Sequence, residues 1–140
     1  MIAIDASVAV KWFAEEPFSA EARQLLEEER GELVFPDVFV IEVAATLVRI
    51  ANINMASRSE SEESLLRLLD LIDSGAILRL ETLPEQTIAA ARLALDLRHP
   101  LKDCIYLALA MELGCDLVTC DARFAAKAQR VWAGVRVLGE

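Results

Sequence analysis

Met1-Ile-Ala-Ile-Asp-Ala-Ser-Val-Ala-Val-Lys-Trp-Phe13 joins a short apolar strand, an acid and a helix without a spacer. The run Met1–Ile4 is apolar at every position, as expected of a strand covered on both faces. Asp5 closes that strand, and Ser7 through Phe13 continues as a helix. Working outward, the same grammar repeats. Ala20–Arg30 reads as a helix with Leu25 and Leu26 on its apolar side, ended by Gly31, and Leu33–Phe35 reads as a second buried strand. Pro36-Asp37 opens a helix that runs to about Asn52, with Asp37 as an ordinary cap. A polar run, Ser57 to Ser64, leads into a helix ending near Ile72, and Ser59 with Glu62 fits a capping box. Ile77–Leu80 is a third strand. Pro84–Arg98 is helical until His99-Pro100 breaks it, and Asp103–Leu113 is helical again before Gly114. Leu117–Thr119, the helix Ala122–Arg130 and the strand Val135–Leu138 complete the chain. Short apolar strands alternating with helices specify an α/β fold: a parallel sheet of four to five strands flanked by helices, in one domain over residues 1–140.

Composition narrows the function classes. The chain is 55% apolar, yet no stretch reaches the roughly 20 uninterrupted apolar residues of a membrane helix. Lys11, Glu42, Asp103 and Glu112 interrupt the candidates. The surplus apolar surface is expected to lie against a partner or in a homodimer. A net charge of −9 excludes nucleic-acid binding through a general basic surface. It leaves open a nuclease, whose chemistry concentrates acids. Three cysteines and a single histidine, without paired spacing, argue against structural zinc and against a disulfide framework. With no basic leader segment, a cytoplasmic location is expected.

Four acids stand beside core segments. Asp5 and Asp121 follow apolar strands, Asp103 opens a helix, and Glu42 interrupts Val38-Phe-Val-Ile-Glu-Val-Ala-Ala-Thr-Leu-Val48. A carboxylate beside a core needs a cation or a set of donors. Taken singly, Asp5, Asp103 and Asp121 read as helix caps. Glu42 resists that reading, because its helical neighbours Val38, Phe39, Ala45 and Thr46 are uncharged. A structural ion pair with Arg49 is its bland alternative. In an open parallel sheet, ligands sit beyond the carboxyl ends of strands where strand order reverses. If the first and fourth strands are neighbours, Asp5 and Asp121 share a crevice that Glu42 and Asp103 enter from helices. His99, beside Pro100, reads as structural or solvent-facing.

With these motifs in place, the chain resembles a PIN domain, most closely the VapC-type toxins of toxin–antitoxin pairs. Ile4-Asp-Ala-Ser-Val-Ala-Val-Lys-Trp-Phe13 resembles the family's first motif, and Pro36 through Glu42-Val43 its second. His99-Pro-Leu-Lys-Asp-Cys-Ile-Tyr-Leu-Ala-Leu-Ala110 resembles the third, and Leu117-Val-Thr-Cys-Asp-Ala-Arg-Phe124 the fourth. Two positions depart: Ala45 replaces a frequent asparagine, and Lys102 a frequent tyrosine.

The resemblance implies a Mg²⁺- or Mn²⁺-dependent endoribonuclease, in which Asp5, Glu42, Asp103 and Asp121 form an acidic quartet. Asp5, Asp103 and Asp121 would hold metal, with Glu42 acting through water. Ser7 and Thr119 would support the carboxylates. Lys11, Lys102, Arg49 and Arg123 flank the motifs and could meet phosphates of an RNA substrate. A cognate antitoxin is the implied partner, with the helices Asp37–Asn52 and Ser59–Ile72 as expected contact surfaces. The rival is a PIN-like scaffold acting through partner binding, which the complete quartet disfavours. A receiver domain would need paired acids after its first strand, and a dehalogenase-type phosphatase needs Asp-x-Asp where Asp5-Ala-Ser7 stands.

Overall fold

The computed structural model describes residues 1–140. Five strands alternate with seven α-helices: β1 (Ile2–Ile4), α1 (Ala6–Phe13), α2 (Ser19–Glu28), β2 (Leu33–Pro36), α3 (Val38–Ile53), α4 (Arg58–Asp73), β3 (Ile77–Leu80), α5 (Pro84–Leu97), α6 (Leu101–Leu113), β4 (Asp116–Thr119), α7 (Ala122–Ala128) and β5 (Val135–Val137). All strand pairs are parallel, in the order β3-β2-β1-β4-β5. The chain therefore winds outward from β1 in one direction, then restarts beside β1 with β4. That reversal puts Ile4 opposite Val118, so the carboxyl ends of β1 and β4 open onto the same crevice.

Helix α6 holds the middle of the molecule. It packs on β1, β2 and β4 and against α5, and Cys104 and Tyr106 through Ala110 are all buried. A helix apolar on nearly every side is what an interior position requires. Gly114 ends it in the left-handed region at φ 65°, a conformation that glycine adopts without steric penalty. On the other helices, α1 contacts α2, α3 and β4, while α4 packs on α3 and β3. Phe35 at β2 and Phe39 at α3 are fully buried and stacked at 4.4 Å, fixing where α3 leaves the sheet. No helix is long and apolar enough to cross a membrane.

Two local expectations are corrected. The capping box of Ser59 and Glu62 does not form: α4 begins one residue earlier, after a 3₁₀ turn (Met55–Ser57) in which the Asn54 side chain accepts from Ala56 N at 3.1 Å. Glu62 instead meets Arg58 one turn back at 3.1 Å. Asp37 does not cap α3 with its side chain. It accepts from Arg79 Nε at 2.6 Å and Thr82 N at 2.9 Å, tying the end of β2 to the end of β3. The competing donors came from 42 and 45 residues away, out of reach of any local reading.

Candidate active site

Asp5 is both a helix cap and a cleft residue. Its Oδ1 accepts from the Ser7 backbone N–H at 3.1 Å and from the Ser7 hydroxyl. Its backbone N–H donates to Val118 O at 3.3 Å, drawing the ends of β1 and β4 together. The residue is 5% exposed. Burial pushes its carboxyl up to about 6, the Asp103 charge adds to the rise, and hydrogen bonds from Ser7 and Thr119 oppose it. Mutual repulsion among the acids is therefore the smaller cause, and desolvation the larger.

Ser7 and Thr119 stitch the two strand ends. The Ser7 hydroxyl also accepts from Cys120 N at 3.0 Å. Thr119, fully buried, accepts from Asp121 N at 3.1 Å. Asp121 in turn caps α7 by accepting from Phe124 N at 2.9 Å through Oδ1. The cap and cleft readings of these aspartates are thus compatible, since capping occupies one oxygen of each carboxylate.

Glu42, on α3, and Asp103, on α6, enter from the helices. The Tyr106 hydroxyl donates to Glu42 Oε1 at 2.6 Å, and Lys102 Nζ lies 3.5 Å from Oε2. Glu42's ionic partner is Lys102, and the pair with Arg49 does not form. Tyr106 is 1% exposed, and burial with the neighbouring Glu42 carboxylate raises its hydroxyl far above the ordinary tyrosine value. All four acids line one cleft of about 320 Å³, joined by Lys11, Arg49 and Lys102. Lys11 is paired with Glu16 at 3.0 Å. Arg123 is exposed on α7 and does not line the cleft. The donor set is dominated by carboxylate oxygen, and one of its acids is buried against its own ionisation. That fits a hard divalent cation.

Residues 2–129 match the family model of the PIN domain. The chain belongs to the PIN domain family. Solved structures of the same fold include PAE2754 from Pyrobaculum aerophilum, at 19% identity and TM-score 0.75, over 98% of this chain and 88% of that one. A toxin–antitoxin complex from Klebsiella pneumoniae matches at 15% identity and TM-score 0.66, over 97% and 96% of the two chains. VapC20 of Mycobacterium tuberculosis, described as a sarcin-ricin loop cleaving toxin, matches at 11% identity and TM-score 0.71, over 90% and 94%. No curated protein matches the sequence.

Two residues that contact the acids of this PIN domain's cleft, Tyr106 from within its lining and His99 from behind Asp103, had no role assigned from the sequence. Tyr106 was not singled out, although it is three residues after Asp103 and so shares that residue's helical face. Of the two readings of His99, structural or solvent-facing, its burial removes the second. Its ring is 9% exposed, stacks on Phe124 at 4.8 Å, and places Nε2 2.6 Å from Asp103 Oδ2. One donor atom each from His99, Asp103 and Asp121 lies within 4.8 Å of the others. The four-residue spacing to Asp103 was the available signal, masked by the helix break that Pro100 announces.

Proposed function

We propose that this PIN domain is a Mg²⁺- or Mn²⁺-dependent endoribonuclease acting as the toxin of a toxin–antitoxin pair. The observation that carries the reading is the convergence of Asp5, Glu42, Asp103 and Asp121 on one cleft at the reversal of strand order. The fold shared with proteins described as toxins, among them one that cleaves the sarcin-ricin loop, supports the same reading.

Asp5, Asp103 and Asp121 would hold the cation, with Asp5 oriented by Ser7 and Thr119. A divalent cation there supplies positive charge to the reacting phosphate and lowers the pKa of water. Glu42, fixed at Oε1 by Tyr106, orients the attacking water through its second oxygen. Lys102, Lys11 and Arg49 provide the local positive charge that an acidic protein needs to hold an RNA phosphate at the cleft mouth. The reaction is hydrolysis of a phosphodiester bond.

A protein partner suits the outer surface. On α3 and α4, Ile41, Ile53, Leu66 and Leu69 are more than half exposed, and these are the helices expected to meet an antitoxin or a second copy. The decisive experiment is cleavage of structured and unstructured RNAs in Mn²⁺ or Mg²⁺, with EDTA and Asp103→Asn controls. Metal-dependent cutting that is lost in the variant supports the nuclease. Absence of cation binding by the wild type would move the reading to a partner-binding scaffold.

A further inference from the structure

Each of the four acids Asp5, Glu42, Asp103 and Asp121 has one carboxylate oxygen held by a side chain or backbone group of the protein. For Asp5, Glu42 and Asp121 the donors are Ser7, Tyr106 and the Phe124 backbone, whereas for Asp103 the partner is the ring of His99. This histidine lies in the link between α5 and α6, where Arg98 takes the left-handed conformation at φ 51° and Pro100 precedes the first turn of α6. A side chain on such a link would ordinarily be free to turn. Here three contacts fix it. Phe124 stacks on the ring with an interplanar angle of 27°, Asp103 Oδ2 meets Nε2, and Lys127 Nζ approaches Nδ1 at 3.5 Å while donating to Arg98 O at 3.0 Å.

The ammonium decides the tautomer. Lys127 carries donors only, so the Nδ1 facing it presents its lone pair. A ring proton then sits on Nε2 and points at Asp103 Oδ2. We propose that His99 is a positioning residue for Asp103: it donates Nε2–H to Oδ2 and so turns Oδ1 toward the cation shared with Asp5 and Asp121. The inference rests on the cation-site reading above. It assigns His99 no direct contact with metal or RNA, because a nitrogen that bears a proton is not a ligand. The three residues between His99 and Asp103 place both on one side of the helix start, so the ring reaches the carboxylate without distorting α6.

The test is Mn²⁺ binding to the metal-free, tag-free protein, followed by electron paramagnetic resonance of the free ion. His99→Phe keeps a ring against Phe124 and removes both nitrogens. His99→Gln restores an N–H donor at nearly the reach of Nε2. His99→Phe is expected to weaken Mn²⁺ binding by about 10- to 100-fold, the range seen when a partner that orients a ligand is lost. His99→Gln is expected to recover most of that loss. In an Asp103→Asn background, His99→Phe is expected to add nothing, since its effect passes through Asp103. A purely structural role would lower the melting temperature without this dependence on Asp103.

His99→Phe binding Mn²⁺ like the wild type would overturn the proposal, as would a full additional loss in the Asp103→Asn background. A third measurement needs no variant. The chain contains one histidine, so any directly bonded imidazole nitrogen in the pulsed spectrum of the wild-type Mn²⁺ complex must come from residue 99. Such a coupling would make His99 a ligand and refute the positioning role. If Asp103→Asn itself leaves Mn²⁺ binding unchanged, the cation-site reading has failed and His99 falls with it.

Discussion

Replacing Asp5 with asparagine is expected to stabilise the metal-free protein at neutral pH while removing its affinity for the cation. Burial raises this carboxyl from its ordinary 3.8 to about 6, so the folded protein resists an ionisation that the unfolded chain accepts. That separation, at roughly 1.4 kcal/mol for each pH unit, corresponds to about 3 kcal/mol. The sign follows from the raised value. Well below its ordinary 3.8 the group is neutral in both states and carries no penalty. Stability is lost as pH rises from about 4 through about 6, and the full penalty persists above it. Asparagine has nearly the same shape, can accept from Ser7 through its oxygen, and never ionises. Urea midpoints of both proteins in EDTA, at about pH 4 and about pH 8, isolate the effect from the other carboxylates. The two proteins are expected to differ by less than about 1 kcal/mol at the lower pH and by about 3 kcal/mol at the higher, or roughly 10 °C in melting temperature. Saturating Mn²⁺ is expected to reverse the order, because it neutralises the wild-type carboxylate and finds no charge in the variant. Equal midpoints at about pH 8 would refute the reasoning, since Asp5 would then ionise in the fold as readily as in water.

Three further outcomes follow from named contacts. Tyr106→Phe removes the only hydroxyl on Glu42 Oε1, and cleavage is expected to fall by roughly 10- to 100-fold; in a Glu42→Gln background it is expected to cost nothing further, and an additional loss in single-turnover assays would separate Tyr106 from Glu42. Lys102→Ala is expected to flatten the salt dependence of single-stranded RNA binding by about 0.7 in log–log slope, the share of one phosphate contact. An unchanged slope in anisotropy titrations would remove Lys102 from the substrate path. Asp37→Ala is expected to destabilise the fold by about 1 kcal/mol at neutral pH, discounted for the exposure of its ion pair with Arg79. The backbone bond from Thr82 and then Arg79 hold the Asp37 carboxyl below its ordinary 3.8. Its contribution is therefore present above that value and lost as pH falls below it, so urea melts in acid are expected to bring variant and wild type together.

Much of the site was legible because its signals are local. Asp5 and Asp121 stand where apolar strands end, and the next helix needs a cap, so neighbouring residues alone mark both positions. Glu42 stands out because its own helix surrounds it with apolar side chains. What stayed hidden depends on residues far apart in the chain. The role of Asp37 came from Arg79 and Thr82, and the choice of Lys102 over Arg49 for Glu42 came from the docking of α6 beside α3. The contacts of Tyr106 and His99 stayed hidden for a related reason: sequence shows that a side chain is apolar or near a break, while only packing shows which polar atom its own hydroxyl or ring nitrogen meets.

The sequence by itself determined the order of strands and helices and singled out four acids as candidates, because periodicity, chain breaks and caps act over a few residues. The tertiary structure alone decided that β4 lies against β1 and that the acids share one cleft. Strand order is set by how the helices cover the sheet, a competition among distant apolar surfaces that no local stretch encodes. The same packing buries Asp5 and so sets its charge, which a carboxylate in an unfolded chain would carry freely.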